Sequence, residues 1–348
     1  MAGGIGSRFW PLSRVEKPKQ FIDALGIGKT FIQLTYERFS SFIPDANFLV
    51  LTGTAYKDLV LEQLPMLKAS QILCEPMRRN TAPCIAYATY KLRSIDPEAM
   101  MIVSPSDQYI GDNETFASVI NDSLTFASQH DTLMTIGITP NYPATGYGYI
   151  QMGDKKSQTS RRDIFKVAAF TEKPELEKAK DFLKSGDFVW NSGMFIWNIK
   201  TICKNLTQHL PDIAQLFDTI SASYNTAEEQ DAVNCAFEAS RSISIDYGVM
   251  EQATDVSVCP AEFGWNDLGS WGALYNQLDK DPNGNVIAVK DILISDSHDS
   301  LIKSTNTDKR LIVDGVDDLL IVDTEDILLI CPRKDENRVK EVISKAGK

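Results

Sequence analysis

The first residues of the chain combine glycine with positive charge. Gly3, Gly4 and Gly6 lie within the first six residues, and Arg8 and Lys19 follow them closely. Glycine permits positive φ and lets a ligand approach the backbone amides, and turns of this kind bind anions through free N–H groups. Nearby cations neutralise the bound charge. The stretch therefore predicts a phosphate-binding loop; the alternative, a solvated flexible terminus, is disfavoured by the interleaved aromatic residues.

Two acidic residues stand beside the ends of predicted elements. Asp107 lies in SPSDQYI (104–110), just past an apolar run, and Asp267 lies in FGWNDLGSW (263–271), beside a helix start. Each aspartate alone is more typical of a helix cap. Together with the glycine loop they supply what displacement at a nucleotide phosphate requires, because amides and cations hold the polyphosphate and two carboxylates can hold Mg²⁺. The sequence pairs no nucleophile with a base, so covalent catalysis is not predicted.

Further polar residues cluster in short motifs. CEPMRRNTAP (74–83) places a carboxylate, two arginines and an Asn-Thr helix start after a predicted strand. Three other motifs combine polar side chains with glycines or a turn: TGYGYI (145–150), TEKP (171–174) and WNSG (190–193). Each has a structural alternative, since residues 172–173 could form a solvated surface pair and the glycines at 146 and 148 could be simple turn residues.

The composition is that of an ordinary globular protein. Of the 348 residues, 43% are hydrophobic and 24% are charged, which argues against a disordered or fibrous chain. The formal net charge of −12 argues against a general nucleic-acid binder. The apolar runs are too short to span a bilayer, and the N-terminus has no apolar leader segment, so no membrane partner is predicted.

The cysteines are scattered along the chain, at positions 74, 84, 203, 235, 259 and 331. They form no CxxC pair, and the three histidines offer no matching spacing. A zinc site or a disulfide scaffold is therefore not predicted. Free thiols in a reducing compartment are the better interpretation, and we expect a cytoplasmic protein.

Apolar runs and helical segments alternate along the first half of the chain. Four runs predict buried strands: FLVLT (48–52), ILC (72–74), MMIVS (100–104) and LMTIGI (133–138). Helical spacing follows Asn80 and Thr81, either of which could be the cap, and recurs over 114–128. The alternation predicts an α/β fold with a parallel, doubly wound sheet, in which ligands bind at the carboxyl ends of the strands.

The texture of the sequence changes near DPNGN (281–285), a strong turn cluster. Short β-type runs separated by Asp, Asn and Gly follow it, and a final helix is predicted from about residue 335. We therefore predict a catalytic domain over 1–280 and a small β module over 281–348. The short strands of the module leave edges to be covered, which favours a homodimer.

The ordered motifs resemble those of the sugar-1-phosphate nucleotidyltransferase family, and within it the guanylyl, mannose-type branch. They cover residues 2 to 271: AGGIGSRFWPLSR…PKQF, EPMRRNTAP, SPSDQYI, TGYGYI, FTEKP, WNSGMFIW, IDYGVME and FGWNDLGSW. The resemblance implies a Rossmann-like doubly wound mixed sheet, followed by a small β-helix-like module. It also implies transfer of GMP from GTP to mannose 1-phosphate with Mg²⁺, giving GDP-mannose and pyrophosphate.

The resemblance assigns roles residue by residue. Around the nucleotide phosphates it implies Ala2, Gly3, Gly4, Gly6 and Ser7, with Arg8 and Lys19 as the neutralising cations. Near the base and ribose it implies Glu75, Asn80 and Thr81, although Glu75 could instead pair with Arg78 or Arg79. As Mg²⁺ ligands it implies Asp107 and Asp267. Around the sugar it implies Gly146, Glu172, Asn191 and Gly193, with Lys173 on the sugar phosphate.

Two alternatives to this activity stay open, and the sequence departs from the family pattern in two places. One alternative is the same reaction with another hexose 1-phosphate or another NTP. A second is a non-catalytic nucleotide-sugar-binding subunit on the same fold. In the family a short strand precedes the glycine loop, whereas here Met1 directly precedes Ala2, so a truncated or nearly absent first strand is expected. Longer relatives carry a phosphomannose isomerase domain, and a chain without it is expected to be monofunctional.

Overall fold

The structure of the protein is a computed structural model that describes residues 1–4, 9–158, 162–335, 338, 339 and 341. Gly6, Ser7 and Arg8 of the predicted phosphate loop lie outside the described residues, as does most of the predicted C-terminal helix. In the described part of the chain, the helices are too short or too polar to cross a bilayer.

The predicted alternation of strands and helices is confirmed. The helices are α1 (Phe31–Ser40), α2 (Lys57–Gln63), α3 (Thr81–Ile95), α4 (Asn113–Gln129), α5 (Leu176–Ser185), α6 (Ile199–His209), α7 (Pro211–Thr219), α8 (Glu229–Ala239) and α9 (Trp271–Gln277). The strands are β1 (Val50–Gly53), β2 (Ile72–Glu75), β3 (Met100–Val103), β4 (Leu133–Ile138), β5 (Tyr149–Gln158), β6 (Asp163–Thr171), β7 (Phe188–Asn198), β8 (Val256–Ala261), β9 (Val286–Ala288), β10 (Ile292–Ser295), β11 (Leu301–Ser304), β12 (Leu311–Asp314), β13 (Leu319–Asp323) and β14 (Leu328–Pro332).

The chain divides into two compact units. Unit 1 contains residues 1–3, 38–105 and 110–265. Unit 2 consists of the remaining segments: 4–37, 106–109 and 266–348. The domain division after residue 280 stays a prediction, because the unit that holds the β module also holds segments from the N-terminus and the middle of the chain.

Unit 1 is built on a six-stranded mixed sheet in the order β3-β7-β4-β8-β6-β5. Strands β4 and β8 are parallel, whereas β7 runs antiparallel to both β3 and β4. The mixed sheet is as the resemblance implied, but the all-parallel sheet predicted from the alternation is wrong. Only residues 159–162 connect β5 to β6, and so short a connection permits only antiparallel pairing, since a parallel pair needs a crossover of a dozen residues or more.

A separate parallel pair, β1 and β2, aligns Val50 with Ile72 and Gly53 with Glu75. Residues 1–4 form no regular strand, but Ala2 donates its N–H to the Leu51 carbonyl at 2.7 Å. The N-terminal ammonium of Met1 donates to the Ser104 carbonyl at 2.8 Å, just past β3. The start of the chain is therefore hydrogen-bonded to β1 on one side and to the end of β3 on the other.

The β module of unit 2 coils between two sheets. Strands β9, β11, β13 and β14 form one sheet and β10 and β12 form another, and every pairing is parallel except that of β13 with β14. Successive strands from β9 to β13 thus alternate between sheets, which confirms the β-helix-like prediction. The interior is continuous with aromatic residues from elsewhere in the unit, because Phe9, Phe31 and Trp271 share one core with Leu301 and Leu320.

Candidate functional site

Lys19 is a buried lysine held by two aspartates of unit 2. Its side chain is 5% exposed, and its Nζ donates to the Asp267 carbonyl at 2.6 Å and lies 3.2 Å from Asp107 Oδ2. The Nζ also lies 6.0 Å from the centre of the Phe9 ring and 5.2 Å from that of Phe31. Lysine is rarely buried unless it is paired, and these contacts supply the pairing. The structure thus brings together the three predicted catalytic residues that it describes.

The two aspartates do not act as helix caps. The α4 helix is capped by Asp112, whose Oδ1 accepts from the Thr115 N–H at 2.9 Å. The α9 helix is capped by Ser270, whose hydroxyl oxygen accepts from the Ala273 N–H at 3.2 Å. The capping alternative for Asp107 and Asp267 is therefore wrong, because neighbouring residues already fill both caps.

The segments that carry the aspartates are paired with each other. Tyr109 and Asn266 exchange backbone hydrogen bonds of 2.9 and 3.1 Å in an antiparallel bridge. The bridge fixes the relative position of two aspartates that are 160 residues apart in the sequence, at 107 and 267.

Asp107 and Asp267 are the predicted ligands of a divalent cation. Among the described residues, no group of three or more His, Cys, Asp or Glu side chains could hold a metal ion by itself. Mg²⁺ usually takes one or two carboxylates, with substrate phosphates and waters as its other ligands. Asp107 and Asp267 are residues of the type that such a site uses, and the Asp107 side chain is 37% exposed, so a ligand can reach it.

Gly4, at the start of the predicted glycine loop, is hydrogen-bonded to Gln20, a residue that the sequence interpretation did not single out. Gln20 is 2% exposed and donates its Nε2 hydrogen to the Gly4 carbonyl at 3.0 Å. A methyl group at Gly4 would meet nothing within 4 Å, so the backbone there is open. The available signal was the PKQF motif, in which Gln20 directly follows Lys19.

Arg14 attaches the segment after the loop to the β module within unit 2. Its guanidinium binds Asp326 in a bidentate pair, with Nη1 2.6 Å from Oδ2, and its Nε donates to the Pro11 carbonyl at 3.1 Å. This ion pair lowers the pKa of the Asp326 carboxyl to about 2. The planar fork of arginine suits such a bidentate pair.

In unit 1, Glu75 lies at the end of β2 against the backbone of Gly3. Its side chain is buried, and a methyl group built on Gly3 would lie 3.2 Å from Glu75 Oε1. Burial raises the pKa of Glu75, although a hydrogen bond from Cys84, the N-terminal ammonium and Arg78 oppose the shift. Arg79 donates instead to the Phe237 carbonyl at 3.0 Å, which argues against its pairing with Glu75.

Asn80 and Thr81 start α3, as predicted. Asn80 has a positive φ of 65°, and its side-chain oxygen accepts from the Thr81 N–H at 2.9 Å. The Thr81 hydroxyl oxygen accepts from the Ile245 N–H at 2.9 Å. Both side chains therefore have a structural partner, and their proximity to a base or ribose stays a prediction.

Glu172 and Lys173 form a turn at the end of β6. Lys173 has a φ of 43° and donates its N–H to the Tyr147 carbonyl at 3.2 Å, while its Nζ lies 2.6 Å from Glu172 Oε1. A methyl group on Gly148 would lie 2.6 Å from Glu172 Oε2, whereas one on Gly146 would meet nothing within 4 Å. Gly148 is thus the glycine that packing requires, and the sequence interpretation had emphasised Gly146.

Asn191 links the neighbouring segments. Its N–H donates to the Gly148 carbonyl at 2.8 Å, and its Oδ1 accepts from the N–H of Gly193 at 3.0 Å, where φ is +71°. Its Nδ2 donates to Asp246 Oδ1 at 2.8 Å. The structure therefore brings Asn191 and Gly193 together with Gly148, and adds Asp246 to them.

Asp246 was not among the predicted site residues, although it lies in the IDYGVME motif. It opens a short π-helix, Asp246–Met250, and such turns recur at functional sites. Burial raises the pKa of Asp246; the hydrogen bond from Asn191 and the charge of Lys173 lower it, and the charge of Glu172 raises it further. The signal in the sequence was that Asp246 is one of two acidic residues, with Glu251, in a motif whose other residues are Ile, Tyr, Gly, Val and Met.

Two models of protein families match the chain. The model described as nucleotidyl transferase matches residues 1–284. The model described as MannoseP isomerase/GMP-like beta-helix domain matches residues 284–345.

Individual relatives agree with these matches. The mannose-1-phosphate guanylyltransferase of Salmonella muenchen is 38% identical over 309 residues, which cover 87% of this chain and 64% of the relative. That of Sinorhizobium fredii is 35% identical over 323 residues, which cover 91% of this chain and 61% of the relative. The chain spans between 60% and 64% of the length of the first curated relatives it matches.

A solved structure from Thermus thermophilus, described as mannose-1-phosphate geranyltransferase, superposes with a TM-score of 0.87 at 28% identity. The alignment covers 100% of this chain and 98% of that one. A structure described as mannose-6-phosphate isomerase from Helicobacter pylori gives a TM-score of 0.60 at 28% identity and covers 72% of this chain and 95% of that one.

Proposed function

The chain belongs to the nucleotidyl transferase family, and from this premise we propose that it transfers GMP from GTP to mannose 1-phosphate, releasing pyrophosphate. The observation that carries the proposal is the buried Lys19 with Asp107 and Asp267, a cluster suited to a polyphosphate. The names of the relatives from Salmonella muenchen and Sinorhizobium fredii support mannose 1-phosphate and a guanylyl group as the substrates.

On the nucleotide, Lys19 and Arg8 would neutralise the triphosphate and the departing pyrophosphate, while the glycine loop offers its amides. Asp107 and Asp267 would hold Mg²⁺. The chemistry that bound Mg²⁺ supplies is neutralisation of charge at the α-phosphate and on the leaving group. Lys19 is held in place by its contacts with Asp107 and Asp267, so it needs no reorganisation to stabilise charge in the transition state.

On the sugar, Glu172 and Asn191 would accept and donate hydrogen bonds to hydroxyl groups, and Lys173 would bind the phosphate. Lys173 is 60% exposed and paired with Glu172, so it can exchange this partner for a phosphate oxygen. The sugar phosphate is an anion near neutral pH and can attack the α-phosphorus in line. The proposal therefore involves neither a general base nor a covalent enzyme intermediate.

For the choice of base, Glu75 is the proposed reader of guanine. A carboxylate only accepts hydrogen bonds, and guanine presents its N1–H and 2-amino donors on one edge. Adenine would place a lone pair against the same oxygens. The burial of Glu75 supports the proposal, because an acceptor left unpaired in a buried site penalises the wrong base.

Pyrophosphate release across a matrix of NTPs and sugar 1-phosphates tests the proposal. We expect the highest kcat/KM for GTP with mannose 1-phosphate. Preference for another hexose 1-phosphate or another NTP would establish the first alternative. Binding of GDP-mannose without turnover of any pair would establish the second alternative, a non-catalytic subunit.

Two further features belong to the same proposal. A cytoplasmic location is favoured by the cysteines, all six of which are free thiols in the structure. A homodimer is favoured by the short strand edges of the β module, and sedimentation of the purified chain tests it.

A further inference from the structure

We infer that Asp246 is a positioning residue for the sugar: it fixes the Asn191 carboxamide and thereby sets the affinity for the sugar 1-phosphate. The inference rests on the proposed function and names a residue of the same site. Asp246 is separated from Asn191 by 55 residues, and their side chains meet in a 2.8 Å hydrogen bond.

The carboxamide of Asn191 is held at both ends. At Gly193 the contact is with the backbone N–H, so the atom that meets it at 3.0 Å must be the oxygen, Oδ1. Asp246, when ionised, offers only acceptors, so the atom that meets it must be the amide nitrogen, Nδ2. The two contacts select the same orientation and exclude the flipped amide. One N–H and one oxygen lone pair then remain at fixed positions for sugar hydroxyl groups.

The position of Asn191 also determines that of its neighbours. Its backbone N–H is bonded to the Gly148 carbonyl at 2.8 Å, and Gly148 lies directly against the Glu172 carboxylate. The adjoining residue Tyr147 accepts the Lys173 N–H at 3.2 Å. A shift of Asn191 would therefore pass to the Glu172–Lys173 turn. A site on which several hydroxyl groups bind at once depends on such pre-organised donors and acceptors.

Charge is the competing explanation for any effect of Asp246. Glu172 and Glu251 lie close enough for their charges to act on one another and on Asp246, and burial together with the charges of Asp246 and Glu172 raises the pKa of Glu251. Removal of any one carboxylate changes the charge of the pocket by the same amount. Among the hydrogen bonds of the described residues, the carboxylate that accepts from the Asn191 side chain is that of Asp246. Glu251→Gln is therefore a matched control for charge.

The first experiment compares steady-state constants for Asp246→Ala, Asp246→Asn and Glu251→Gln. For Asp246→Ala we expect KM for mannose 1-phosphate to rise roughly 10-fold or more, with KM for GTP changed by less than about two-fold. Asp246→Asn retains an acceptor and should show a smaller rise. Glu251→Gln should leave both constants near wild type. An equal rise in KM for mannose 1-phosphate in Asp246→Asn and Glu251→Gln would show that charge is responsible, and would overturn the inference.

A double-mutant cycle with Asn191→Ala separates positioning from a general structural role. If Asp246 acts through Asn191, the double variant should bind sugar phosphate no more weakly than Asn191→Ala alone. If the two substitutions weaken sugar-phosphate binding independently and additively, the inference is overturned. It is also overturned if Asp246→Ala weakens the binding of GTP and mannose 1-phosphate equally.

The sugar affinity is measured both as KM and by calorimetric titration with mannose 1-phosphate, alongside thermal unfolding of each variant. Wild-type protein that neither binds nor turns over this substrate would overturn the proposed function and the inference together. If the wild type is active, and folded Asp246→Asn and Asp246→Ala both bind mannose 1-phosphate as tightly as the wild type, the inference alone is overturned.

Discussion

The ammonium of Lys19 lies 3.2 Å from the carboxylate of Asp107, and the same ammonium binds the backbone of Asp267 at 2.6 Å. Lys19 therefore has two functions within unit 2. It holds the segment of Asp267 beside that of Asp107, and it presents a fixed positive charge beside the Asp107 carboxylate. The roles of the three residues can be separated by substitution.

Asp267→Asn should bind GTP but turn over poorly. An amide oxygen can ligate Mg²⁺ without neutralising it, and kcat should fall on the order of 100-fold, at about 1.4 kcal/mol per tenfold. The measurement is kcat at saturating Mg²⁺. The matched control is Asp112→Asn, which alters the α4 cap and should leave kcat near wild type. Wild-type turnover by Asp267→Asn would remove the carboxylate from the mechanism.

Lys19 and Lys173 should differ in the kinetic constant that they control. Lys19→Ala removes the fixed charge that we propose neutralises the leaving group, and should mainly depress kcat. Lys173→Ala should mainly raise KM for mannose 1-phosphate, because its target is present in the ground state as well as in the transition state. An exposed lysine of α5, Lys180, provides the control substitution. The same kinetic defect in both variants would rule out two distinct phosphate subsites.

Glu75 should determine the preference for GTP over ITP. Inosine retains N1–H and lacks only the 2-amino group, so the wild type should favour GTP by roughly 10-fold or more. Glu75→Gln and Glu75→Ala should narrow that ratio while leaving KM for mannose 1-phosphate nearly unchanged. If folded variants keep the wild-type ratio, Glu75 is structural, paired with Arg78, and backbone groups read the base.

A buried ion pair in unit 1 should control stability and its dependence on pH. Lys91 Nζ lies 2.6 Å from Glu229 Oε2, and the two side chains are 7% and 14% exposed. Glu229→Gln would place an amide donor against the ammonium, and should lower the free energy of unfolding by about 3 kcal/mol. The exposed pair of Lys29 and Glu37 is the control, for which Glu37→Gln should cost less than about 1 kcal/mol.

The difference in free energy of unfolding between wild type and Glu229→Gln should depend on pH, because the Glu229 carboxyl titrates. Burial alone would raise the pKa of Glu229, but hydrogen bonds from Lys91 and Tyr87 outweigh burial and lower it. A depressed pKa in the folded state gives stability that is present above the unfolded value of about 4.3 and is lost as pH falls through the folded value. The free energies of unfolding of wild type and Glu229→Gln, measured with denaturant, should therefore approach each other as the pH falls. A constant difference down to pH ~3 would contradict the assignment.

Local patterns predicted the elements well. The runs at 72–74 and 133–138 became β2 and β4, and the Asn80 cap starts α3. The strands depend on the local pattern of apolar residues, and the helix start depends on one capping turn. Residues that are close in the sequence determine both. The antiparallel direction of β7 depends on which strands it pairs with, and these lie far away in the chain.

Site residues that lie in a recognisable motif could be predicted from the sequence. Site residues that are identified by a contact between distant segments could not. Asp107 and Asp267 were named from their motifs, but only the caps at Asp112 and Ser270 show that neither is itself a cap. Asp246 was missed because its relation to Asn191 spans 55 residues and is visible only in the folded chain.

The most direct test of the central claim follows the label of GTP into the products. With GTP labelled at the α-phosphate and unlabelled mannose 1-phosphate, the label of the GTP that is consumed should appear in GDP-mannose and not in pyrophosphate. With GTP labelled at the γ-phosphate, the label should appear in pyrophosphate, in equal amount to the sugar nucleotide formed. Label from the γ-phosphate in a sugar bisphosphate, or hydrolysis of GTP without a sugar nucleotide, would contradict the account.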